Sequence, residues 1–259
     1  MTAPNVRPDH PSREGPVATK KQKQEERRAR AEAARAAQQA AARKERMRAI
    51  AVFGAAAVVV IGLILAALVP FLKDRSADKK LADADLASLG VSENAAGCRA
   101  PVTKDATGSG QHENPGTPIT YPDHPPAFGK HWGNFLYGSE IRTFYSRQDR
   151  PELERMVHSL EHGHTIVWYD DSITAGDADY EALEQITSKL GLDSYVMAAP
   201  YDKADGGAFP DGAHVAITHW TGPADQKGVW QYCDKVSGSV IKSFVTEHPK
   251  ESAPEPGAA

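Results

Sequence analysis

Cysteine is scarce in this chain, with only Cys98 and Cys233 among 259 residues. That leaves room for one disulfide or one soft metal-ligand pair, and for no thiol nucleophile once the two are bridged. A G-x-S-x-G elbow is absent, as is the Gly-rich loop followed by Lys-Ser/Thr that cradles phosphate; Gly206-Gly207 lacks that sequel. Residues 19–47 carry many bases but no aromatic residue and no heptad leucines. Nucleic acid is therefore not an expected partner, and neither is a coiled coil. From residue 50 to residue 69 there is no charge at all.

That charge-free run is about 20 residues long, the length a helix needs to cross a hydrocarbon core of ~30 Å. It starts too far into the chain for a cleaved signal peptide, so a retained transmembrane helix is expected over residues 50–72. Before the run stand 13 Lys and Arg against 6 Asp and Glu; after it the balance is 17 against 28. Arg43, Lys44, Arg46 and Arg48 crowd the leading flank. The positive-inside rule then places residues 1–49 in the cytoplasm and the rest outside the plasma membrane. Within the tail, residues 1–17 are rich in proline and polar groups and read as disordered, and residues 19–47 read as a polar helix. The small residues Gly54, Ala55 and Ala56 would permit close packing against a membrane or cell-envelope protein partner, besides the lipid bilayer itself.

About 185 residues follow the span, enough for one core. Residues 73–97 read as a charged stalk, 98–248 as the domain, and 249–259, with Pro249, Pro254 and Pro256, as a disordered tail. Both cysteines lie on the oxidising side, so Cys98 and Cys233 are expected to form a disulfide, closing a loop of about 135 residues. Residues 103–129 show no apolar period and read as a long loop. Residues 153–160 have helical spacing with Gly163 as a stop, 165–169 a β-rich run, and 180–190 an amphipathic helix ended by Gly191. Strands are expected at 195–199 and 215–220, and a closing helix at 236–245. The first strand-helix-strand unit favours a parallel pair, and the next connection a hairpin. The expected fold is α/β: a small mixed-sheet sandwich on a single transmembrane helix that follows an N-terminal polar helix.

Histidine is concentrated between residues 112 and 219, and two blocks stand out: His124-Pro125-Pro126, Gly129 and His131, then Ser159-Leu160-Glu161-His162-Gly163. In these blocks the chain resembles the domain-of-unknown-function family 3105, found in actinobacterial membrane and exported proteins. Phe128 departs from the serine usual before Gly129. The resemblance covers roughly residues 98–256 and implies an extracytoplasmic domain without implying an activity.

Chemistry is therefore argued from the side chains. His124 and His131 straddle a Pro-Pro segment that fixes loop geometry, and His158 and His162 stand four apart, on one face of a helix. A site for copper before zinc is expected from His124, His131, His158 and His162, with Met156 and Met197 as soft ligands should copper be reduced. Histidines that cap helix carbonyls or pack against Trp132 are the competing explanation, in a structural or protein-interaction domain. His158 to His162 also spells H-x-x-E-H, the inverted zinc-hydrolase motif, with Glu161 as base and Glu181 or Glu184 as third ligand. Gly163 places it at a helix end, where such a motif should not stop.

Overall fold

The computed structural model describes residues 20–210 and 212–257; the expectation for residues 1–17 lies outside them. Two units divide the chain, Met1–Val69 and Pro70–Ala259. Helix α1 (Lys20–Asp83) carries the Ala-, Arg- and Glu-rich text into the charge-free run. Its stretch Lys20–Ala66 is long and apolar enough to cross a membrane. Ile50, Val52, Phe53, Ile61 and Leu63 there are exposed.

The second unit contains β1 (Val102–Asp105), β2 (His112–Glu113), β3 (His131–Trp132), α2 (Leu153–Glu161), β4 (Thr165–Tyr169) and α3 (Ala178–Leu190). After them come β5 (Val196–Pro200), β6 (Val215–Thr221), β7 (Lys227–Cys233) and α4 (Gly238–Glu247). Five strands form one mixed sheet in the order β1-β7-β6-β4-β5, while β2 and β3 pair separately. Strand β4 lies inside the sheet and is buried over its whole length. This explains its unbroken β-rich text: a strand covered on both faces has no polar side to alternate with. Val167 and Tyr169 join α3 and α4 through Leu183, Ile186, Ile241 and Phe244. Ile166 and Trp168, pointing the other way, join α2 through Met156, Val157 and Leu160.

Helix α3 links β4 and β5 in parallel, with Thr165 opposite Val196. The expected hairpin after β5 is not formed. Strand β6 crosses to the far side of β4 and pairs with it antiparallel, Thr165 opposite His219, and the hairpin falls between β6 and β7. The residues between β5 and β6 are occupied elsewhere: Asp205 takes both guanidinium nitrogens of Arg150, at 2.6 and 2.8 Å. Strand β7 escapes the sequence pattern because Gly228 and Gln231 interrupt it; the glycine is required, since a Cβ there would meet Phe128 and Trp230. Strand β1 occupies the start of the expected loop and is exposed throughout, an edge strand on β7. Tyr195 lies before its strand, in left-handed conformation with φ 55°.

Both ends of the domain extend further than expected. Within the expected stalk, Leu86 is buried, Val91 N–H donates to Val236 O, and Gly238 N–H donates to Leu89 O. The stretch from about residue 84 is thus part of the α4 face. Nor is the tail through residue 257 loose: Ala253 is fully buried, and Glu255 and Gly257 donate backbone N–H groups to the carbonyls of Glu161 and His162. Cys98 and Cys233 form the disulfide.

Two outcomes follow from this packing. Loss of the disulfide in a Cys98→Ala, Cys233→Ala variant should lower unfolding free energy by up to roughly 5 kcal/mol, the loop-closure value for a loop of this length, measured in denaturant at constant pH. Burial drives the His164 pKa down to about 4 and, with His248 beside it, the His219 pKa down to about 3. Unfolded, both titrate near 6.5, so below that pH the unfolded chain binds more protons. Stability should be full above about pH 6.5 and fall as pH drops toward 4, by up to about 1.4 kcal/mol per pH unit for each histidine. A His219→Gln variant should show a shallower decline of melting temperature with pH.

Candidate metal centre

Helix α2 presents Leu153, Met156, Val157 and Leu160 to the sheet, the i, i+3, i+4, i+7 stripe of a core-facing helix. His158 and Glu161 come three apart on an adjoining face and are also buried, at 2% and 4% exposure. The helix stops at His162, and Gly163 turns the chain with φ 101°; a Cβ there would sit 2.7 Å from Lys250 O. Opposite this face lies the parallel pair β2–β3, in which His112 and His131 are register partners. Partners in a parallel ladder point to the same side, so the two rings project together.

The result is a group of four: His112, His131, His158 and Glu161 bring one ligand atom each to within 4.8 Å of one another. The ring centroids of His112, His131 and His158 are 4.8, 4.9 and 4.4 Å apart. His131 is wholly buried, while the His112 side chain is half exposed and forms the open edge. Gly110 lets the carboxylate in, because a Cβ at that position would collide with Glu161 Oε1. Trp220 stands edge-on to His131 at 6.0 Å, and Phe135 edge-on to His158 at 5.4 Å.

Backbone carbonyls decide the tautomers. Nδ1 of His131 lies 2.9 Å from Gly129 O, and Nδ1 of His158 2.6 Å from Trp132 O. A carbonyl can only accept, so each Nδ1 carries its hydrogen and the Nε2 of each neutral ring is bare. The supports are themselves held: Tyr121 Oη donates to Lys130 O and Trp132 Nε1 to Thr117 O, both at 2.8 Å.

His131 Nε2 approaches Glu161 Oε2 to 3.0 Å. Both atoms are buried, and neither has a hydrogen-bond partner. Whenever its ring carries a single hydrogen, on Nδ1, His131 faces the carboxylate with one acceptor against another. Burial pulls the His158 pKa down to about 4, reinforced by the neighbouring His131, so the ring is neutral at pH 7. Burial alone would raise Glu161, but its imidazole neighbours when protonated, His131 first by hydrogen bond and charge and then His158 and His162, outweigh it and hold the carboxyl below its usual range.

Of the four histidines expected at one site, His131 and His158 come together. His124 does not: its Nδ1 lies 3.0 Å from Tyr201 Oη, and its ring lies against Gly206 and Gly207. The Pro-Pro segment fixes its loop without directing it to the group. His162 lies beside His158, ring centroids 4.7 Å apart and tilted, but bonds through Nδ1 to Glu255 O at 2.9 Å. Among the described residues, no group of three or more ligands contains both His158 and His162, as the inverted hydrolase motif requires. His112 carries no sequence signal of its own, because its two-residue strand has no period and its partner lies in another strand.

Residues 112–259 match the family model described as "Protein of unknown function (DUF3105)". The match begins at His112 and contains every member of the group. No curated protein and no solved structure matches the chain.

Replacing Glu161 by Gln provides a direct test of the facing acceptors. An amide N–H can donate to His131 Nε2, so in chelator Glu161→Gln should melt higher than the parent, by about 1 kcal/mol of stability. A loss of roughly 3–5 kcal/mol would instead mark a broken buried ion pair with protonated His131.

Proposed function

We propose, for a chain that belongs to the family described as protein of unknown function (DUF3105), that its domain binds one divalent transition-metal ion through His112, His131, His158 and Glu161. The observation that carries this is the buried 3.0 Å approach of His131 Nε2 to Glu161 Oε2, neither of which has a hydrogen-bond partner. A cation between them turns that approach into two bonds. Ligand bonds of ~2.0–2.1 Å in a tetrahedral site put neighbouring donors about 3.3 Å apart. The spacings of 3.0 and 3.7 Å from Glu161 Oε2 to His131 and His112 Nε2 bracket that value.

The donor set selects the metal. Three imidazoles and a carboxylate suit zinc or another borderline divalent ion, whereas reduced copper prefers sulfur. Met156 and Met197 belong to the core cluster between α2 and the sheet, and the group contains no sulfur. We read this donor set as favouring zinc over copper, the reverse of the order expected from sequence.

In this reading the domain lies outside the plasma membrane, held to the lipid bilayer by the apolar part of α1 with its basic flank in the cytoplasm. The charge difference across the run supports that orientation, and the disulfide suits an oxidising compartment. The histidines would then serve metal binding in the cell envelope.

A structural reading has one observation in its favour. His164 and His219 are buried and bonded to Ser159 O and Thr165 Oγ1, outside any ligand group among the described residues. Titration of zinc into the chelator-treated full chain in detergent separates the readings. The first equivalent of zinc should bind at the group, His131→Ala and His158→Ala should each weaken it at least about tenfold, and His124→Ala should leave its affinity unchanged. Equal losses of melting temperature with and without zinc, at unchanged affinity, would leave the packing role alone.

A further inference from the structure

Glu161 belongs to a second group as well: it, His162 and Glu255 bring ligand atoms to within 4.8 Å of one another. We propose that this group is a second cation position, bridged to the first by the Glu161 carboxylate, so that the domain holds a pair of divalent ions. The inference rests on the reading of the first group as a metal site and extends it to the C-terminal segment.

Three features support it. Glu161 is 4% exposed, and its carboxylate, whose Oε2 faces His131 and His112 without a hydrogen-bond partner, is the member shared by both groups. His162 is 4% exposed, and its Nδ1 donates to Glu255 O, which fixes the ring and leaves Nε2 bare, the same device that presents His131 and His158. Glu255 is anchored by its backbone rather than its side chain: its N–H donates to Glu161 O at 3.0 Å, and Gly257 N–H donates to His162 O at 3.3 Å. The segment is therefore docked on α2 with the Glu255 side chain left for other work.

The chemistry of the two positions differs. The first offers three imidazoles and one carboxylate, the second one imidazole and two carboxylates. Oxygen-rich sets favour harder ions, so the second position should accept manganese or zinc. Carboxylate bridging is how two cations of like charge are kept a few ångströms apart.

The test uses the full chain in detergent, dialysed against zinc and in a parallel arm against manganese after one equivalent of zinc, with metal per chain measured by elemental analysis. The expected result is two ions per chain in each arm. Glu255→Gln, which keeps both backbone bonds, should reduce the count to one, or weaken the second ion at least tenfold, at unchanged melting temperature in chelator. A single ion that His131→Ala abolishes and Glu255→Gln does not affect would overturn the second position and leave the first. No ion in the parent chain would overturn both.

Discussion

A carboxylate taken out of water must be met by charge or by hydrogen, and the groups that face Glu161 are the imidazoles of His112 and His131. An isolated buried carboxylate would lose several kcal/mol relative to solvent. Here the surroundings are imidazoles, delivered from three separate elements, α2, β2 and β3, and they offset this loss only when a proton or a cation stands between their Nε2 atoms and the carboxylate. The two-residue strands make sense in this light. Four residues paired in parallel contribute little as a sheet, yet their register sets two rings side by side against the carboxylate. Gly110 and Gly129 serve the same end, one by giving the carboxylate room and the other by turning its carbonyl to His131 Nδ1.

The sheet fixes the other side of the arrangement. Because β4 is covered on both faces, α2 must pack on one of them, and the connection from α2 to β4 is only His162, Gly163 and His164. Such a short link allows little freedom of rotation to the helix. The positions of His158 and Glu161 are thus set by the apolar stripe of α2 and by where β4 begins. His164 and His219, neutral and buried beside Thr165, hold the same junction and make it sensitive to acid.

Much of this was legible in the text and part was not, for physical reasons. Elements with a local period stood out: the stripe of α2, the unbroken run of β4, the amphipathic face of α3 with its Gly191 stop. Where structure depends on a distant partner, the text is silent. Lys227–Cys233 becomes a strand because β6 lies beside it, and Val102–Asp105 because β7 does. The same distinction runs through the site. His158 and His131 sit in recognisable blocks, but His112 gains its place only through pairing with a residue in another strand. His124 has the more conspicuous setting and goes elsewhere, to Tyr201. Proline density in residues 249–257 reads as fraying, yet an extended segment with free N–H groups at Glu255 and Gly257 is also what the last carbonyls of α2 can bind.

The disulfide has a mechanical consequence. The chain enters the domain near residue 84, packs along α4, and reaches Cys98 just before the edge strand β1. A pull on that entering segment would otherwise peel β1 from β7 one hydrogen bond at a time and then draw on the long arm that follows. The covalent bond to Cys233 instead carries the load to the end of β7, in the body of the sheet. The arm bearing His112 and His131 therefore lies outside the line of tension, and a domain pulled at its entering segment would keep its histidine group undisturbed.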